Sequence, residues 1–172
     1  MIMRQGQQLL LPANPVFIWG SMLLALLFNM LPLGRTPWMP DFLALVLVFW
    51  SVHQPLRVGI GVAFFFGLCM DVHQAALLGQ HALSYTALSF FAITIHRRLL
   101  WFSVPSQAVQ VLPLFAAAHA IEMAIRLLIG GAFPGFMILL APALESVLWP
   151  VVSVALLAPQ RRAPDPDENR PL

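Results

Sequence analysis

Charged residues are scarce in this sequence, and lysine is absent from it. Only 9% of the 172 residues are charged, whereas 60% are hydrophobic. A soluble domain carries about 25% charged residues, so the charges here are too few to cover a water-facing surface. The basic side chains are all arginines, and they are dispersed rather than clustered with aromatic residues. This composition predicts a polytopic protein in contact with the lipid bilayer and gives no support for nucleic-acid binding.

Cysteine and catalytic motifs are equally sparse. Cys69 stands alone, which excludes a disulfide framework and a metal site built on cysteine. No G-x-S-x-G motif and no phosphate loop with a lysine occurs. The acidic and basic side chains also lack the paired arrangement typical of acid–base catalysis. We therefore predict that the chain is not an enzyme and that it uses no cofactor.

Long apolar runs predict six transmembrane helices, and hence an all-α integral membrane protein. A helix over residues 39–53 would extend only about 22 Å at about 1.5 Å per residue. This short helix and the next one could be tilted, enclosed by protein, or the arms of a re-entrant hairpin. Because a hairpin would bury His53 and Arg57 within the bilayer, we expect two short spanning helices, tilted or enclosed by protein, that meet in a tight turn at the cytoplasmic surface. The helix-forming runs are approximately 16–33, 42–52, 57–70, 75–95, 105–129 and 136–157. The six-helix domain therefore covers 16–158, between a cytoplasmic segment, 1–15, and a disordered cytoplasmic tail, 159–172.

Polar residues mark the connection between the first two helices. Pro40 and Asp41 form a helix-start signal immediately before the second apolar run. Asn29 lies inside the first run, where an amide without a partner would be unfavourable. We therefore expect Asn29 to form a hydrogen bond with a neighbouring helix.

The arginines predict the orientation of the chain. Six helices place both termini on one side, whereas Arg35 lies in an opposite loop and Arg126 lies near the opposite end of the fifth helix. Arginine in short loops accumulates on the cytoplasmic side. We therefore place both termini in the cytoplasm, on the side that the other arginines share: Arg4, Arg57, Arg97, Arg98, Arg161, Arg162 and Arg170.

A stripe of small residues runs along the predicted third helix. Gly59, Ala63 and Gly67 recur every four residues, and Asp71 follows after one more turn. This spacing removes side-chain bulk and lets two helices approach closely. Two interpretations are open. The better supported one is that the stripe packs the third helix within the chain, and the other is that it docks a helix of another membrane protein.

An Asp–His group follows at the end of the third helix. Asp71, His73 and His81 invite a metal-site interpretation, but no HExxH or cysteine pattern supports it. We therefore predict no metal site. We expect Asp71 to end the third helix at the membrane interface, and Gln80, His81, Ser84 and Tyr85 to form interhelical hydrogen bonds.

Four ionisable residues lie in the last two predicted helices. His119, Glu122 and Arg126 fall within an arc of about 60° at about 100° per residue, and Glu145 on the sixth helix could face them. Ionisable groups inside a membrane suggest function. Glu122 and Arg126, at i and i+4, could instead neutralise each other. A structural ion pair and a proton or substrate path both stay open.

Residues 40–85 resemble the MreD family of bacterial rod shape-determining membrane proteins. The matching segments are PDFLALVLVFW (40–50), PLRVGIGVAFFFGL (55–68) and MDVHQAALLGQHALSY (70–85), of which the last is the most specific. His73 and Gln74 depart from the small or apolar residues expected there. The resemblance implies a multi-pass protein of the bacterial inner membrane. It also implies a fold similar to the substrate-binding membrane subunits of energy-coupling-factor transporters.

The resemblance further implies a non-enzymatic scaffold in the cell-elongation (rod) complex. The scaffold would link MreC, the most direct partner, and the filament protein MreB to peptidoglycan synthesis by RodA and its penicillin-binding transpeptidase. The alternative is a small-molecule-capturing subunit of a membrane transporter, which would use the outer loops and the group around Glu122. The candidate partner interface comprises Pro40, Asp41, Arg57, Gly59, Ala63, Gly67, Asp71, Gln80, His81 and Tyr85.

Overall fold

Six α-helices make up this computed structural model, which describes residues 13–31 and 38–160. No strand occurs within those two ranges, so the all-α prediction is confirmed. The predicted tail beyond residue 160 and the arginines at positions 4, 35, 161, 162 and 170 lie outside the described residues. The helices are α1 Pro15–Met30, α2 Phe42–His53, α3 Ile60–Gln74, α4 Gln80–Leu100, α5 Val104–Leu128 and α6 Leu140–Leu157, with 3-10 turns at Phe136–Leu139 and Ala158–Gln160.

The connection between α3 and α4 lies later in the chain than the hydrophobic pattern predicts. α3 continues to Gln74 rather than ending at 70, and α4 begins at Gln80 rather than at 75. Ala75 ends α3 in the left-handed conformation, with φ of 50°, and Gly79 precedes α4 with φ of 105°. The predicted boundary was wrong because residues 75–78 are apolar, so they continue the pattern of a helix although the backbone turns there.

α2 lies at the centre of the bundle. Every residue from 43 to 52 is buried, and the helix packs against α1, α4 and α6. At 12 residues it extends about 18 Å, less than the hydrocarbon thickness of a bilayer. Its neighbours enclose it, which is the arrangement expected for the short second helix.

α3 and α4 pack at backbone distance. Ala63 and Gly67 are both buried, and a Cβ on Gly67 would lie 2.6 Å from the backbone nitrogen of Ala82. Only glycine permits this approach, because any side chain would push the two helices apart. The stripe therefore packs within the chain at Ala63 and Gly67. Gly59 lies apart from this contact, at the N-cap of α3.

Two helical segments are long and apolar enough to cross a membrane. They are Val104–Leu128 and Phe136–Gln160, each 25 residues long, whereas α1, α2 and α3 are shorter apolar helices. Pro113 lies inside α5, and Pro150 lies inside α6. Large apolar side chains such as Leu24, Phe65 and Val151 are exposed on the outside of the bundle. The crossing of the membrane by all six helices stays a prediction.

Candidate functional site: a polar cavity at one end of the bundle

Asp41 connects three helices at the start of α2. Its Oδ1 accepts hydrogen bonds from the backbone N–H of Ala44 at 2.9 Å and from the side-chain amide of Asn29 at 2.6 Å. Its Oδ2 accepts a hydrogen bond from the hydroxyl of Tyr85 on α4. The side-chain oxygen of Asn29 accepts from the backbone N–H of Phe42 at 3.1 Å. The carboxylate thus caps α2 and joins it to α1 and α4, and the helix-start signal and the interhelical bond of Asn29 are confirmed.

Glu145 on α6 joins the start of α2, at Asp41, to α5 and α6. Its Oε1 accepts a hydrogen bond from the backbone N–H of Asp41 at 2.9 Å, and it lies 2.9 Å from Nε2 of His119. Nδ1 of His119 lies 3.8 Å from Oε2 of Glu122. Glu145 itself is fully buried, and its Oε2 has no hydrogen-bond partner among the described residues. A polar chain therefore runs from α2 through α6 to α5.

Asp71 caps α4 rather than marking an exposed helix end. The carboxylate is fully buried and accepts backbone N–H groups of Gly79 at 2.8 Å, His81 at 2.7 Å and Ala82 at 3.3 Å. Nδ1 of His81 lies 2.8 Å from Asp71 Oδ1. These three N–H groups belong to the first turn of α4 or its cap, where a helix has no intrahelical acceptors. Asp71 therefore lies in the last turn of α3, as expected, but it is buried within the protein and caps α4, a role that the sequence did not predict. Its position at the membrane interface stays a prediction.

A cavity of about 770 Å³ opens at the end of the bundle where these two carboxylate clusters lie. The ends of α1, α3 and α5 and the starts of α2 and α4 form its wall. The arginines Arg57, Arg97 and Arg98 lie at the opposite end, in the turn after α2 and in the last turn of α4. The polar and charged residues of the wall are Asn29, Asp41, His73, Gln74, Gln80, His81, His119, Glu122 and Arg126.

The predicted intramembrane cluster assembles only in part. His119 contacts Glu145 and approaches Glu122, in agreement with the prediction that Glu145 on the sixth helix faces this group. Arg126 lies on the cavity wall, but its guanidinium has no carboxylate oxygen within 4.0 Å in the described ranges. The internal pairing of Glu122 with Arg126 is therefore not formed, because His119 is the ionisable group beside Glu122.

The candidate interface residues separate into a buried set and an accessible set. Arg57 is exposed and donates from Nη1 to the carbonyl oxygen of Ala13 at 2.8 Å, while Pro40, Gly59 and Gln80 are partly exposed. Asp41 is also partly exposed, but its carboxylate is engaged within the chain. A partner could not contact the buried members without a rearrangement of the bundle. The buried members are Ala63, Gly67, Asp71, His81 and Tyr85.

The described residues contain no group of three or more His, Cys, Asp or Glu side chains arranged to hold a metal ion. His81 is engaged with Asp71, whereas His73 is exposed on the cavity wall. The sequence pattern had placed these three side chains in one group because they are close along the chain. In the fold Asp71 caps α4 and stays in contact with His81, whereas His73 does not complete a group of three with them.

Comparison with known proteins identifies the family. Residues 12–159 match the sequence profile described as rod shape-determining protein MreD. The chain belongs to the MreD family. It is 25% identical over 135 residues to the rod shape-determining protein MreD of Haemophilus influenzae, a comparison that covers 76% of this chain and 81% of the relative. No solved structure matches the chain.

The match to MreD extends well beyond the segments that suggested it. The profile covers all six helices, from the residue before the described start of the chain to the 3-10 turn after α6. The polar cavity, both carboxylate clusters and the α3–α4 contact all lie inside the matched region. The family is described by its role in determining rod shape, not by a reaction, and its members are associated with the membrane.

Proposed function

We propose that this chain is a non-enzymatic membrane scaffold of the rod complex. It links MreC, as the direct partner, and the filament protein MreB to peptidoglycan synthesis by RodA and its penicillin-binding transpeptidase. The match to the MreD family over residues 12–159 is the observation that carries this proposal. In the proposed arrangement all six helices cross the inner membrane and both termini lie in the cytoplasm.

The internal hydrogen bonds support a structural role. Asp41, Asp71 and Glu145 use their carboxylates to cap helices or to join them. Between helices in lipid the hydrophobic effect contributes little, so packing and polar contacts hold the helices in place. A bundle braced in this way offers partners a fixed surface, which is what a scaffold requires.

Deletion of the gene tests the scaffold directly. A rod-shaped bacterium that lacks this protein should become round, and expression of the intact chain should restore rods. The variant Gly61→Ala serves as a control, because a Cβ at this position meets no atom within 4 Å, and it should restore rods fully. Growth as normal rods after a clean deletion, in a strain without a second MreD-family protein, would contradict the proposal.

The partner surface is tested by crosslinking from the accessible candidates. A photo-reactive residue in place of Arg57 should capture a protein of the rod complex, because this exposed turn belongs to the proposed interface. Arg98 gives a matched control, since it is an exposed arginine at the same end of the bundle but outside 40–85. Equal capture of the same protein from both positions would contradict the assignment of the turn at Arg57 to the partner interface.

The alternative function, a subunit that captures a small molecule for a transporter, is favoured by one observation, the cavity of about 770 Å³. Such a subunit would bind a transporter ATPase. Purification of the protein from its native membrane therefore separates the two functions: rod-complex proteins should accompany a scaffold, and an ATPase should accompany a transporter subunit.

A further inference from the structure

The polar cavity has the size of a small-molecule site. Its volume is about 770 Å³, and cavities that bind small molecules measure about 300–1,000 Å³. Apolar side chains such as Met70, Leu77 and Ile138 line it together with the polar residues. A few polar groups set among apolar side chains are typical of sites that both enclose and orient a ligand.

Two opposite charges face this cavity without neutralising each other. Glu122 and Arg126 lie one turn apart on α5, and both contribute to the cavity wall. Among the described residues, no guanidinium nitrogen of Arg126 lies within 4.0 Å of a carboxylate oxygen of Glu122. Arg126 is the nearer of the two to the end of α5, and therefore to the end of the bundle. The carboxylate thus lies deeper than the guanidinium.

Negative charge also accumulates behind the wall. Glu145 is fully buried, and through its Oε1 it contacts Asp41 and His119, which both line the cavity. Its Oε2 has no hydrogen-bond partner in the part of the chain that the structure describes. An unpartnered buried carboxylate oxygen is unfavourable. Glu145 does not line the cavity itself, but a positive group bound beside Asp41 and His119 would lie close enough to interact favourably with its carboxylate.

We propose that the cavity binds a small zwitterion. The ammonium group of the ligand lies against Glu122, in the negative field of Asp41 and Glu145, and its acid group lies against Arg126 nearer the mouth. The ammonium group would share Glu122 with His119, whose Nδ1 lies 3.8 Å from Glu122 Oε2. The acid group would meet Arg126, which has no carboxylate oxygen within 4.0 Å among the described residues. This binding site goes beyond the proposed scaffold role and does not depend on it.

A series of ω-amino acids tests the charge separation. Purified full-length protein in lipid nanodiscs is titrated with glycine, β-alanine, γ-aminobutyrate and 6-aminohexanoate, and binding is measured by calorimetry. The best member should bind about tenfold or more tightly than n-butylamine or butyrate, which carry one charge each. If n-butylamine bound as tightly as the best ω-amino acid, the proposal of a zwitterionic ligand would be overturned. The absence of saturable binding across the series would overturn it as well.

Variants that remove one charge test whether the ammonium group of the ligand contacts Glu122 and its acid group contacts Arg126. Glu122→Gln should weaken the best ω-amino acid about tenfold and leave butyrate unchanged, since a charge-assisted hydrogen bond is lost. Arg126→Gln should weaken it to a similar extent and leave n-butylamine unchanged. Arg98→Gln makes the matched change at the other end of the bundle and should alter nothing.

The variants also separate binding from folding. Thermal unfolding without ligand shows whether each variant retains the bundle, and the intact protein should unfold at a higher temperature when the ω-amino acid is added. A ligand-induced shift that persists in both Glu122→Gln and Arg126→Gln would overturn the site. Binding needs no partner protein, so its failure would leave the scaffold role standing, and normal rods after deletion would leave the binding site standing.

Discussion

Gly67→Ala should destabilise the bundle more than its single added methyl group suggests. The new Cβ would lie 2.6 Å from the nitrogen of Ala82 and 2.7 Å from the carbonyl oxygen of His81. Both atoms belong to the backbone of α4, so no side chain can rotate away to make room. Relief therefore requires α3 and α4 to separate by about 1 Å, because non-bonded carbon contacts lie at about 3.5–4.0 Å.

This separation would also reach the cap of α4. Asp71 lies one turn after Gly67 on α3, and it accepts the N–H groups of Gly79 and His81 at 2.8 and 2.7 Å. An increase of about 1 Å would take both beyond the usual limit of about 3.2 Å for a hydrogen bond. Overpacking costs about 1–3 kcal/mol, and each lost bond adds about 1 kcal/mol. The total loss in free energy of unfolding should be about 3 kcal/mol or more.

Gly61→Ala is the matched control, because the same substitution on the same helix introduces a Cβ that meets no atom within 4 Å. Alanine is favoured over glycine inside a helix by about 0.5–1 kcal/mol, so this variant should be neutral or slightly more stable. The free energy of unfolding can be measured by denaturant titration in micelles, with fluorescence of the buried Trp50 and Trp149 as the signal. Equal stabilities of the two variants would refute the backbone contact.

Substitutions at three further positions test the carboxylate clusters, with the free energy of unfolding as the measurement. Asp71→Ala should cost about 3 kcal/mol or more, since it leaves buried N–H groups without an acceptor, and Asp71→Asn should cost less because one oxygen remains. Tyr85→Phe should cost about 1–2 kcal/mol through the lost hydrogen bond to Asp41. Glu145→Gln should be milder than Glu145→Ala, since the amide oxygen can still accept from Asp41 and His119. Equal costs within either pair of variants would contradict the assigned contacts.

Features that depend on neighbouring residues could be predicted from the sequence. The helix start at Asp41 follows from the pair Pro40 and Asp41 and from the apolar run after it. The enclosure of α2 follows from its length, because a helix too short to span lipid must be covered by protein. The α3 contact at Ala63 and Gly67 follows from their spacing, although that spacing alone could not say whether the second helix belonged to this chain.

Features that depend on the fold could not be predicted in this way. Asp71 caps a helix that begins nine residues later, and only the left-handed residue Ala75 and the turn at Gly79 bring the two together. Glu122 and Arg126 have the spacing of an ion pair. In the fold, however, α6 places Glu145 beside His119, and His119 rather than Arg126 lies beside Glu122. The separation of Asp71 from His73, and of Glu122 from Arg126, is a result of tertiary packing.

The two carboxylate clusters around Asp41 and Asp71 are built in the same way. Asp41 and Asp71 each accept backbone N–H at the start of a helix, and each also contacts a side chain of α4, Tyr85 in one case and His81 in the other. These two side chains lie one turn apart on α4. Through them α4 contacts both the carboxylate that caps α2 and the carboxylate that caps α4 itself. A helix start is where an anion is most favourable, and lipid offers no competing hydrogen bonds. These two caps therefore fix the end of the bundle at which the cavity opens, and a change in either should alter the cavity before it alters the opposite end.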